Sequence, residues 1–401
     1  MKALIIAQYF PPDMGGASAR AFNVAKGIRL KGYDVTVVAA FPHYPHGKVP
    51  SDYRHDAIRP ERVEGIKVLR VWIPALPHNS VVNRVLLHVS FAFSALFALP
   101  FTGEVDVIWA ANPNLFSFLP ALIYRLAKRK PMVRNVDDLW PEVFYEMGIV
   151  QSKPVKMALD FLAKLSYKIP EAITPISPGY KRRIIEKYGI DDQKIRVVEV
   201  GIASAQPPAS NSKKNHQFLA VYSGVLGIGY DFSTVLEAAR SLSENKNIVF
   251  LIRGTGEREL DLKQLVGRLG LENVMLRTDF LPRKELATLL QSADVFLLPM
   301  SPASFVEEGL PAKIFEYQSY GKPIVCISNG EPARYIEATH SGLVVKQKDA
   351  EGLKRAILRL YNNRKLASEL GENGRRHVSS NMTMEKIGDR MYEIFTSVQQ
   401  E

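Results

Sequence analysis

Cysteine is almost absent from this 401-residue sequence, which has only Cys326, inside the apolar run at residues 323–327. A disulfide framework is therefore excluded and a reducing, intracellular compartment is expected, so we assign this thiol no catalytic role. A secretory signal is also missing, because Met1 and Lys2 are followed at once by residues 3–10, an apolar run too short for one. That run is typical of a buried first strand, and we expect a cytoplasmic protein.

Spaced metal-ligand patterns are missing as well. The acidic pairs Asp137 with Asp138 and Asp191 with Asp192 lack the alternation of an Asp-x-Asp ligand set, and the histidines are scattered. Because calcium and magnesium sites need several oxygen ligands at suitable spacing, we predict no metal site. We also predict no cofactor other than the substrates themselves.

A dinucleotide fingerprint is the third absence. After the first predicted strand, residues 11–16 read Pro-Pro-Asp-Met-Gly-Gly, and a helix is expected to start near Ala17. The fingerprint needs glycines at its first, third and sixth positions, so an NAD-dependent dehydrogenase or epimerase is disfavoured. Gly15 and Gly16 indicate instead a turn whose amides could meet the reacting end of a ligand.

No uncharged run is long enough to cross a membrane. The longest contains residues 85–101, with His88, Ser90, Ser94 and Pro100, whereas a spanning helix needs about 20 apolar residues. Two interpretations stay open for this segment: packing in the core, or an interfacial position on a membrane.

The formal net charge is +11, and most of it comes from the first 200 residues. Nucleic acid, anionic lipid or an anionic acceptor could bind such a basic half, although ordinary solubilising charge explains it equally well. We find no recognition helix, RNP-like strand or Cys/His set, so no nucleic-acid partner is predicted. The main basic clusters are Arg125, Lys128, Arg129, Lys130 and Arg134, and Lys181, Arg182 and Arg183.

Short apolar runs alternate with amphipathic segments in both halves of the chain, which predicts an α/β protein with two doubly wound, Rossmann-like domains facing across a cleft. Residues 201–215 are rich in Pro, Ser and Asn and predict the linker. We therefore predict an N-terminal domain at 1–204, a C-terminal domain at 205–380, and a final helix at 381–401 that packs back on the N-terminal domain. The predicted strands are residues 4–10, 34–39, 68–72, 105–110, 132–136, 172–175, 218–222, 248–252, 274–276, 294–299, 323–327 and 342–345.

The segment at residues 306–316 carries the strongest functional signal. Gly309 permits close backbone approach, Leu310 follows it, and Pro311 suits the first position of a helix whose free N–H groups would attract phosphate. Glu308 and Glu316 flank this start with seven residues between them. Carboxylates accept hydrogen bonds from hydroxyls, so the combination suits a nucleotide sugar. The alternative is a solvated helix with charged edges.

Two further strand ends carry candidate groups. Arg253 and Gly254 close one predicted strand, and the arginine is either a phosphate ligand or a surface side chain beside a flexible turn. Asp138 follows another strand, where it could accept a proton or orient an acceptor hydroxyl. For Asp137, capping of a helix that begins near Pro141 is the better interpretation.

With these residues in view, the sequence resembles the retaining family 4 glycosyltransferases of GT-B fold, from the first strand to near residue 380. Glu308 and Glu316 match the family's Glu-x7-Glu signature, together with the Gly-Leu-Pro and Lys313 between them and the Gly-Lys-Pro at 321–323. Residues 41–47 and 138–142 are similar to the branch that contains N-acetylfucosamine transferases of surface-polysaccharide assembly.

The resemblance implies transfer of a sugar from a nucleotide donor, usually a UDP-sugar, with retention of anomeric configuration. It implies that Glu316 holds the ribose, that Glu308 contacts the donor sugar, and that Gly15 and Gly16 lie by the donor phosphate. A same-face displacement, in which the leaving phosphate helps to deprotonate the acceptor, is the mechanism favoured for the family. The acceptor implied is a glycan or a lipid-linked glycan at the cytoplasmic face of the membrane, where an anionic surface is a further partner.

One departure from the family concerns positive charge. Many members place an arginine and a lysine just after the strand that matches residues 218–222, but here residues 223–231, which include Gly224, contain neither. We hypothesise that Arg253 and Lys313 supply the missing charge. Two alternatives stay open: a noncatalytic nucleotide-sugar-binding subunit, and a nucleotide-sugar 2-epimerase of the same architecture.

Overall fold

The computed structural model describes residues 1–44, 47–53, 56–76, 81–111, 115–202, 217–279 and 281–400. The chain divides into two units: the first contains residues 1–203 together with 384–401, and the second contains residues 204–383. The predicted domain boundary near residue 205 falls within residues 203–216, outside the described part of the chain.

A seven-stranded sheet forms the centre of the first unit, in the order β3-β4-β2-β1-β5-β6-β7. Its strands are β1 (Lys2–Ile6), β2 (Asp34–Ala40), β3 (Ile58–Val63), β4 (Ile66–Val71), β5 (Val107–Ala110), β6 (Met132–Val136) and β7 (Ala172–Pro175). Its helices are α1 (Gly16–Leu30), α2 (Val81–Phe97), α3 (Phe118–Lys128), α4 (Glu142–Glu146), α5 (Lys153–Lys168) and α6 (Pro178–Tyr188). All neighbouring strands pair in parallel except β3 and β4, which are antiparallel.

A six-stranded parallel sheet forms the second unit, in the order β10-β9-β8-β11-β12-β13. Its strands are β8 (Phe218–Ser223), β9 (Ile248–Arg253), β10 (Val274–Arg277), β11 (Val295–Pro299), β12 (Ile324–Ile327) and β13 (Gly342–Val345). Its helices are α7 (Phe232–Ser241), α8 (Glu259–Leu269), α9 (Arg283–Ser292), α10 (Ser304–Glu307), α11 (Lys313–Ser319), α12 (Glu331–Ala338), α13 (Ala350–Asn362) and α14 (Arg364–Asn381). The last helix of the chain, α15 (Met384–Gln400), belongs to the first unit.

The two parallel sheets confirm the prediction of two doubly wound α/β domains. Strands that are buried on both faces read as continuous apolar runs, which is why the pattern located them. The edge strand β3 was not predicted, because residues 58–63 read Ile-Arg-Pro-Glu-Arg-Val and only an edge strand tolerates that proline. The first strand was predicted too long: β1 ends at Ile6, and residues 7–15 form a loop.

Helices cover both faces of the first sheet. On one face, α1 and α15 pack together over β1 and β2, and Ile387, Met391 and Phe395 of α15 join the same buried cluster as Val24 and Ile28 of α1. On the other face lie α2, α3 and α5. The uncharged segment at 85–101 thus belongs mainly to α2, and one side of that helix packs in the core.

The crossing of α1 and α15 depends on two glycines. A Cβ on Gly388 would lie 2.4 Å from the carbonyl oxygen of Gly27, and a Cβ on Gly27 would lie 2.6 Å from the carbonyl oxygen of Met384. Real Cβ atoms do not approach backbone atoms so closely, so a side chain at either position forces the helices apart.

We therefore expect Gly388→Val to destabilise the protein by about 1–3 kcal/mol through overpacking. Thermal unfolding measures this as a lower midpoint. Gly267→Ala is the matched control, because that glycine also lies within a helix, α8, but a Cβ there would meet nothing within 4 Å. An unchanged midpoint for Gly388→Val would contradict the close crossing.

Candidate functional site

The turn that follows β8 is built from glycine. Gly224 has φ +148°, a conformation that side chains other than glycine rarely adopt, and its N–H donates to the carbonyl oxygen of Arg253 at 2.9 Å. A Cβ on Gly254 would lie 1.7 Å from the carbonyl oxygen of Gly224. The turns after β8 and β9 therefore touch, which brings together Gly224, Arg253 and Gly254 as candidate donor-site residues.

The side chain of a tyrosine in helix α11 forms hydrogen bonds to this turn. The Tyr317 hydroxyl accepts a hydrogen bond from the Ser223 N–H at 2.9 Å and donates one to the Ser223 carbonyl oxygen at 3.0 Å. The Tyr317 ring also stacks on Phe296 of β11, with centroids 4.1 Å apart. Because both backbone groups of the last β8 residue are bonded to one side chain, the position of α11 relative to the turn is fixed.

Lys313 lies one helical turn before Tyr317 and therefore on the same side of α11. Its side chain crosses Gly224, since a Cβ on that glycine would lie 2.3 Å from Nζ. The ammonium group is 5.1 Å from the ring centroid of Tyr230 and 5.7 Å from that of Tyr222. Within the described part of the chain no carboxylate pairs with it, so this cation can serve a ligand at the end of β8.

Arg253 was predicted to be either a phosphate ligand or a surface side chain, and the structure shows it buried rather than on the surface. The residue is buried, its Nη2 donates to the carbonyl oxygen of Asp279, and Nη2 lies 3.5 Å from an Asp279 carboxylate oxygen. No described residue accepts a hydrogen bond from the buried Nε. The guanidinium is thus held in place by Asp279 while one of its donors stays uncommitted.

The acidic segment differs in detail from its prediction. A short helix, α10, precedes it, and α11 begins at Lys313, so Pro311 lies before the helix rather than at its first position. The difference arises because the Gly309 N–H bonds back to the Val306 carbonyl oxygen and continues the α10 turn, at 3.4 Å. Gly309 and Leu310 are buried, Glu308 is half-buried, and Glu316 is exposed on α11.

Glu307 is a structural acid that sequence reasoning missed. Its carboxylate accepts hydrogen bonds from the Ser328 hydroxyl at 2.9 Å and from the Asn329 N–H at 2.8 Å, which fixes the turn after β12. Burial raises the pKa of Glu307, and these hydrogen bonds oppose the rise. The only hint in the sequence was that Glu307 lies directly before Glu308. The seven-residue spacing to Glu316 drew attention to Glu308 alone.

In the first unit, the loop that contains Gly15 is held by buried polar groups. The Asp13 carboxylate accepts from the N–H groups of His43 at 2.7 Å and Tyr44 at 2.8 Å, both in the loop after β2. The fully buried Arg70 donates to the carbonyl oxygens of Phe10, Pro11 and Ala40. Gly15, with φ +108°, then precedes α1, which starts at Gly16.

Asp137 and Asp138 follow β6 at the same edge of the sheet. Asp137 does not cap α4: Pro141 is the N-cap there, without a side-chain hydrogen bond. Instead the Asp137 carboxylate accepts from Asn135 at 2.8 Å and lies 3.3 Å from the guanidinium of the buried Arg20. The cap interpretation is wrong because the charge of Arg20, in α1, holds Asp137 toward the sheet.

Desolvation dominates the acid–base behaviour of this edge. Burial and, as a smaller effect, the neighbouring Asp137 charge together raise the pKa of Asp138 to about 7. Burial raises the pKa of Asp13 to about 6, against the two amides that favour its charged form. Burial lowers the pKa of His43 to about 4, so that ring is neutral at physiological pH. Arg134 is fully buried, so it adds nothing to the surface of the predicted basic cluster.

Across the described ranges, no three His, Cys, Asp or Glu side chains are grouped so that they could hold a metal ion. In the same part of the chain, no helix has both the length and the apolar character needed to cross a bilayer.

Two family models match the sequence. Residues 15–201 match the glycosyl transferase 4-like domain, and residues 205–377 match glycosyl transferases group 1. Together these two matches account for most of the chain.

Among curated proteins, the sequence is 30% identical to the amylovoran biosynthesis glycosyltransferase AmsK of Erwinia amylovora, over 47% of each chain. It is 29% identical to the putative colanic acid biosynthesis glycosyltransferase WcaL of Escherichia coli K12, over 53% of this chain and 56% of that protein. The chain thus spans about half the length of both relatives.

Among solved structures, the fold is similar to that of HepE from Anabaena in complex with UDP. The TM-score is 0.71 at 17% identity, and the comparison covers 99% of this chain and 100% of HepE. At this level of identity the likeness establishes the fold, with two Rossmann-like units as in GT-B proteins.

The raised pKa of Asp138 predicts a pH dependence of stability. Because the folded-state pKa of about 7 exceeds the unfolded value, the stabilising contribution of Asp138 is full below pH ~4 and is lost as the pH rises through the folded pKa. The asparagine in Asp138→Asn cannot ionise. The free energy of unfolding of the variant minus that of wild type should therefore be larger at pH 8 than at pH 4, by at least about 1 kcal/mol. Urea denaturation at both pH values measures this.

Asp137→Asn provides the matched control for that experiment. Removing the neighbouring charge lowers the pKa of Asp138, so adding Asp138→Asn to this background should give a smaller pH-dependent gain. A pH-independent difference between wild type and Asp138→Asn would contradict the desolvation of this carboxyl.

Proposed function

We propose that this chain, which belongs to the glycosyltransferases that combine a 4-like domain with a group 1 domain, is a retaining, metal-independent glycosyltransferase. It would move a sugar from a nucleotide-sugar donor to a hydroxyl of a glycan or lipid-linked acceptor. The observation that carries this proposal is the placement of Lys313 over the Gly224 turn, because ligands of open α/β sheets bind at the carboxyl ends of the strands.

Lys313 acts in this proposal as the cation that stabilises the leaving diphosphate. Negative charge grows on the diphosphate as the glycosidic bond breaks, and a prepositioned ammonium group stabilises that charge in the transition state. The aromatic rings of Tyr222 and Tyr230 favour a cation at this point. Lys313 thereby replaces a cation that other family members supply from the turn itself.

The flanking acids bind the sugars of the donor. Glu316 is exposed and three residues beyond Lys313, which suits a carboxylate that accepts hydrogen bonds from the ribose hydroxyls. Glu308 is half-buried, and we assign it to the hydroxyls of the transferred sugar. Gly309, Leu310 and Pro311 lie between the two acids in the sequence, and we assign this segment to the donor site as well.

The first unit supplies the acceptor side of the reaction. Asp138 has a pKa near the working pH, which suits a group that orients the acceptor hydroxyl and shares its proton. Transfer of this proton to the leaving phosphate, on the face of the sugar where the acceptor attacks, completes the deprotonation of the acceptor.

The donor base and the pathway are proposed by analogy with the relatives. HepE was crystallised with UDP, and AmsK and WcaL are described as enzymes of amylovoran and colanic acid biosynthesis. We therefore propose a UDP-sugar donor, a role in cell-surface polysaccharide biosynthesis, and a cytoplasmic location at the inner face of the membrane. Similarity of residues 41–47 and 138–142 favours an N-acetylamino sugar.

Titration with UDP, followed by donor-turnover assays with and without acceptor extracts, tests the function. Binding with acceptor-dependent release of UDP supports the transferase. Binding without any turnover would identify a noncatalytic subunit, and conversion of the donor to its C2 epimer without an acceptor would identify the epimerase class.

Lys313→Ala should lower kcat by at least tenfold, since one such contact in a transition state is worth a few kcal/mol. Steady-state kinetics with a UDP-sugar that the wild-type protein turns over measures this. Lys263→Ala is the matched control, because that lysine lies on α8 and pairs with the neighbouring Glu259. A wild-type kcat for Lys313→Ala would remove this lysine from the mechanism.

Arg253→Ala should also lower kcat by at least tenfold if the uncommitted Nε faces the diphosphate. The competing explanation is structural, through the contact with Asp279. Arg253→Lys separates the two, because it retains charge but loses the planar donor set. Reduced thermal stability with an unchanged kcat in Arg253→Ala would show that Arg253 only supports the β9 turn.

A further inference from the structure

One face of the first unit remains apolar on its outer side. The helices α2, α3 and α5 lie side by side on this face, and the Tyr124 hydroxyl of α3 donates to the Ala95 carbonyl oxygen of α2 at 2.7 Å. The opposite face of the same sheet is covered by the packing of α1 and α15. We call the outer side of α2, α3 and α5 the apolar face.

On α2 the exposed apolar residues form a single stripe. They recur three or four positions apart, so they project from one side of the helix. They are Val82, Leu86, Val89, Phe93 and Phe97, and Phe93 is 63% exposed. Leu87, Phe91 and Ala95 occupy the inner side and are buried. A helix that is apolar all round is normally covered on all sides, which α2 is not.

The stripe continues on the neighbouring helices. On α3 the exposed residues are Leu119, Ile123 and Leu126, again at helical spacing. On α5 they include Met157, which is 73% exposed, and Phe161, which is 64% exposed. More than half of the large apolar side chains that are exposed in the described part of the chain lie on these helices or on Phe101 just after α2. Contiguous exposed apolar surface of this kind marks an interaction site.

The three helices of the apolar face contain seven basic residues and one acidic residue. Neither α2 nor α3 contains an acidic residue, and the one acid of α5, Asp160, pairs with Lys187 at 3.0 Å. Lys164 and Lys168 are exposed and continue the Met157 and Phe161 line toward the end of α5. The exposed Arg129 follows α3 at the corresponding end.

We propose that the apolar face docks on an anionic lipid bilayer, with α2 in the interfacial region and the basic ends of α3 and α5 against the headgroups. Apolar residues on one side and Lys or Arg at its margin are the pattern of interfacial membrane binding. A second copy of the chain fits less well, because a face-to-face dimer would bring basic margins of the same sign together. The inference rests on the proposed membrane location but not on the donor chemistry.

This attachment has a consequence for the acceptor. Each of these helices connects two parallel strands of the sheet, so α2 and α3 begin at the carboxyl edge, where Asp138 also lies. A bilayer on the apolar face would therefore lie alongside this edge. A lipid-linked acceptor could then present its sugar to Asp138 while its lipid stays in the membrane.

Co-sedimentation of the full chain with vesicles tests the proposal. Vesicles of phosphatidylcholine alone are compared with vesicles that contain one quarter phosphatidylglycerol. Wild type should bind the anionic vesicles, and the double variant Phe93→Ser/Phe161→Ser should bind them at least tenfold more weakly. Leu260→Ser is the matched control, because that leucine is 71% exposed on α8 of the second unit; it should bind as wild type does.

A second variant tests the electrostatic contribution to vesicle binding. Lys164→Glu/Lys168→Glu should lose most of the preference for phosphatidylglycerol while it retains the fold, because both side chains are exposed. UDP titration of the same variants should be unchanged, since none of the altered residues is assigned to the donor. Loss of vesicle binding with intact UDP binding therefore distinguishes this proposal from the proposed function.

Three results would overturn the proposal. Wild type could stay in the supernatant with both vesicle types, or the Phe93→Ser/Phe161→Ser variant could bind as tightly as wild type. Light scattering could also show that wild type is a dimer, that the Phe93→Ser/Phe161→Ser variant is a monomer, and that neither binds vesicles. The occupant of the apolar face would then be a second copy of the chain.

Discussion

The paired hydrogen bonds between the Tyr317 hydroxyl and both backbone groups of Ser223 are the constraint on which the candidate donor site depends. They join α11 to the end of β8, and the stacking of Tyr317 on Phe296 fixes the ring from the other side. Lys313 lies four residues before Tyr317 on the same helix, so its side chain reaches the turn at Gly224. Glycine is required there because a Cβ would occupy the space of the lysine side chain.

A comparable principle organises the first unit, where buried charges hold the loops at the carboxyl edge of the sheet. Arg70 bonds to the loop after β1, Asp13 joins that loop to the one after β2, and Arg20 reaches from α1 to the end of β6. Buried charges are costly unless they are paired, so each of these contacts restrains a loop strongly. The same desolvation raises the pKa of Asp138 into the range useful for proton transfer.

The periodicity of the sequence predicted the two parallel sheets, because strands buried on both faces leave a continuous apolar signal, whereas β3, with Pro60 and three charges, left none. The site was predicted in part. The spacing of Glu308 and Glu316 drew attention to the segment that precedes and forms α11, and the charge deficit after β8 led to Lys313. The role of Asp137 was misjudged, because its partner Arg20 lies more than 100 positions earlier and no local pattern reports such a contact.

The central claim is that the donor diphosphate binds where Lys313 crosses the Gly224 turn. A crystal structure of the protein with UDP tests this most directly. The account predicts a diphosphate oxygen within about 3 Å of the Lys313 ammonium, as for a charge-assisted hydrogen bond, with the ribose hydroxyls on Glu316. UDP bound elsewhere, with Lys313 still over the rings of Tyr222 and Tyr230, would contradict it.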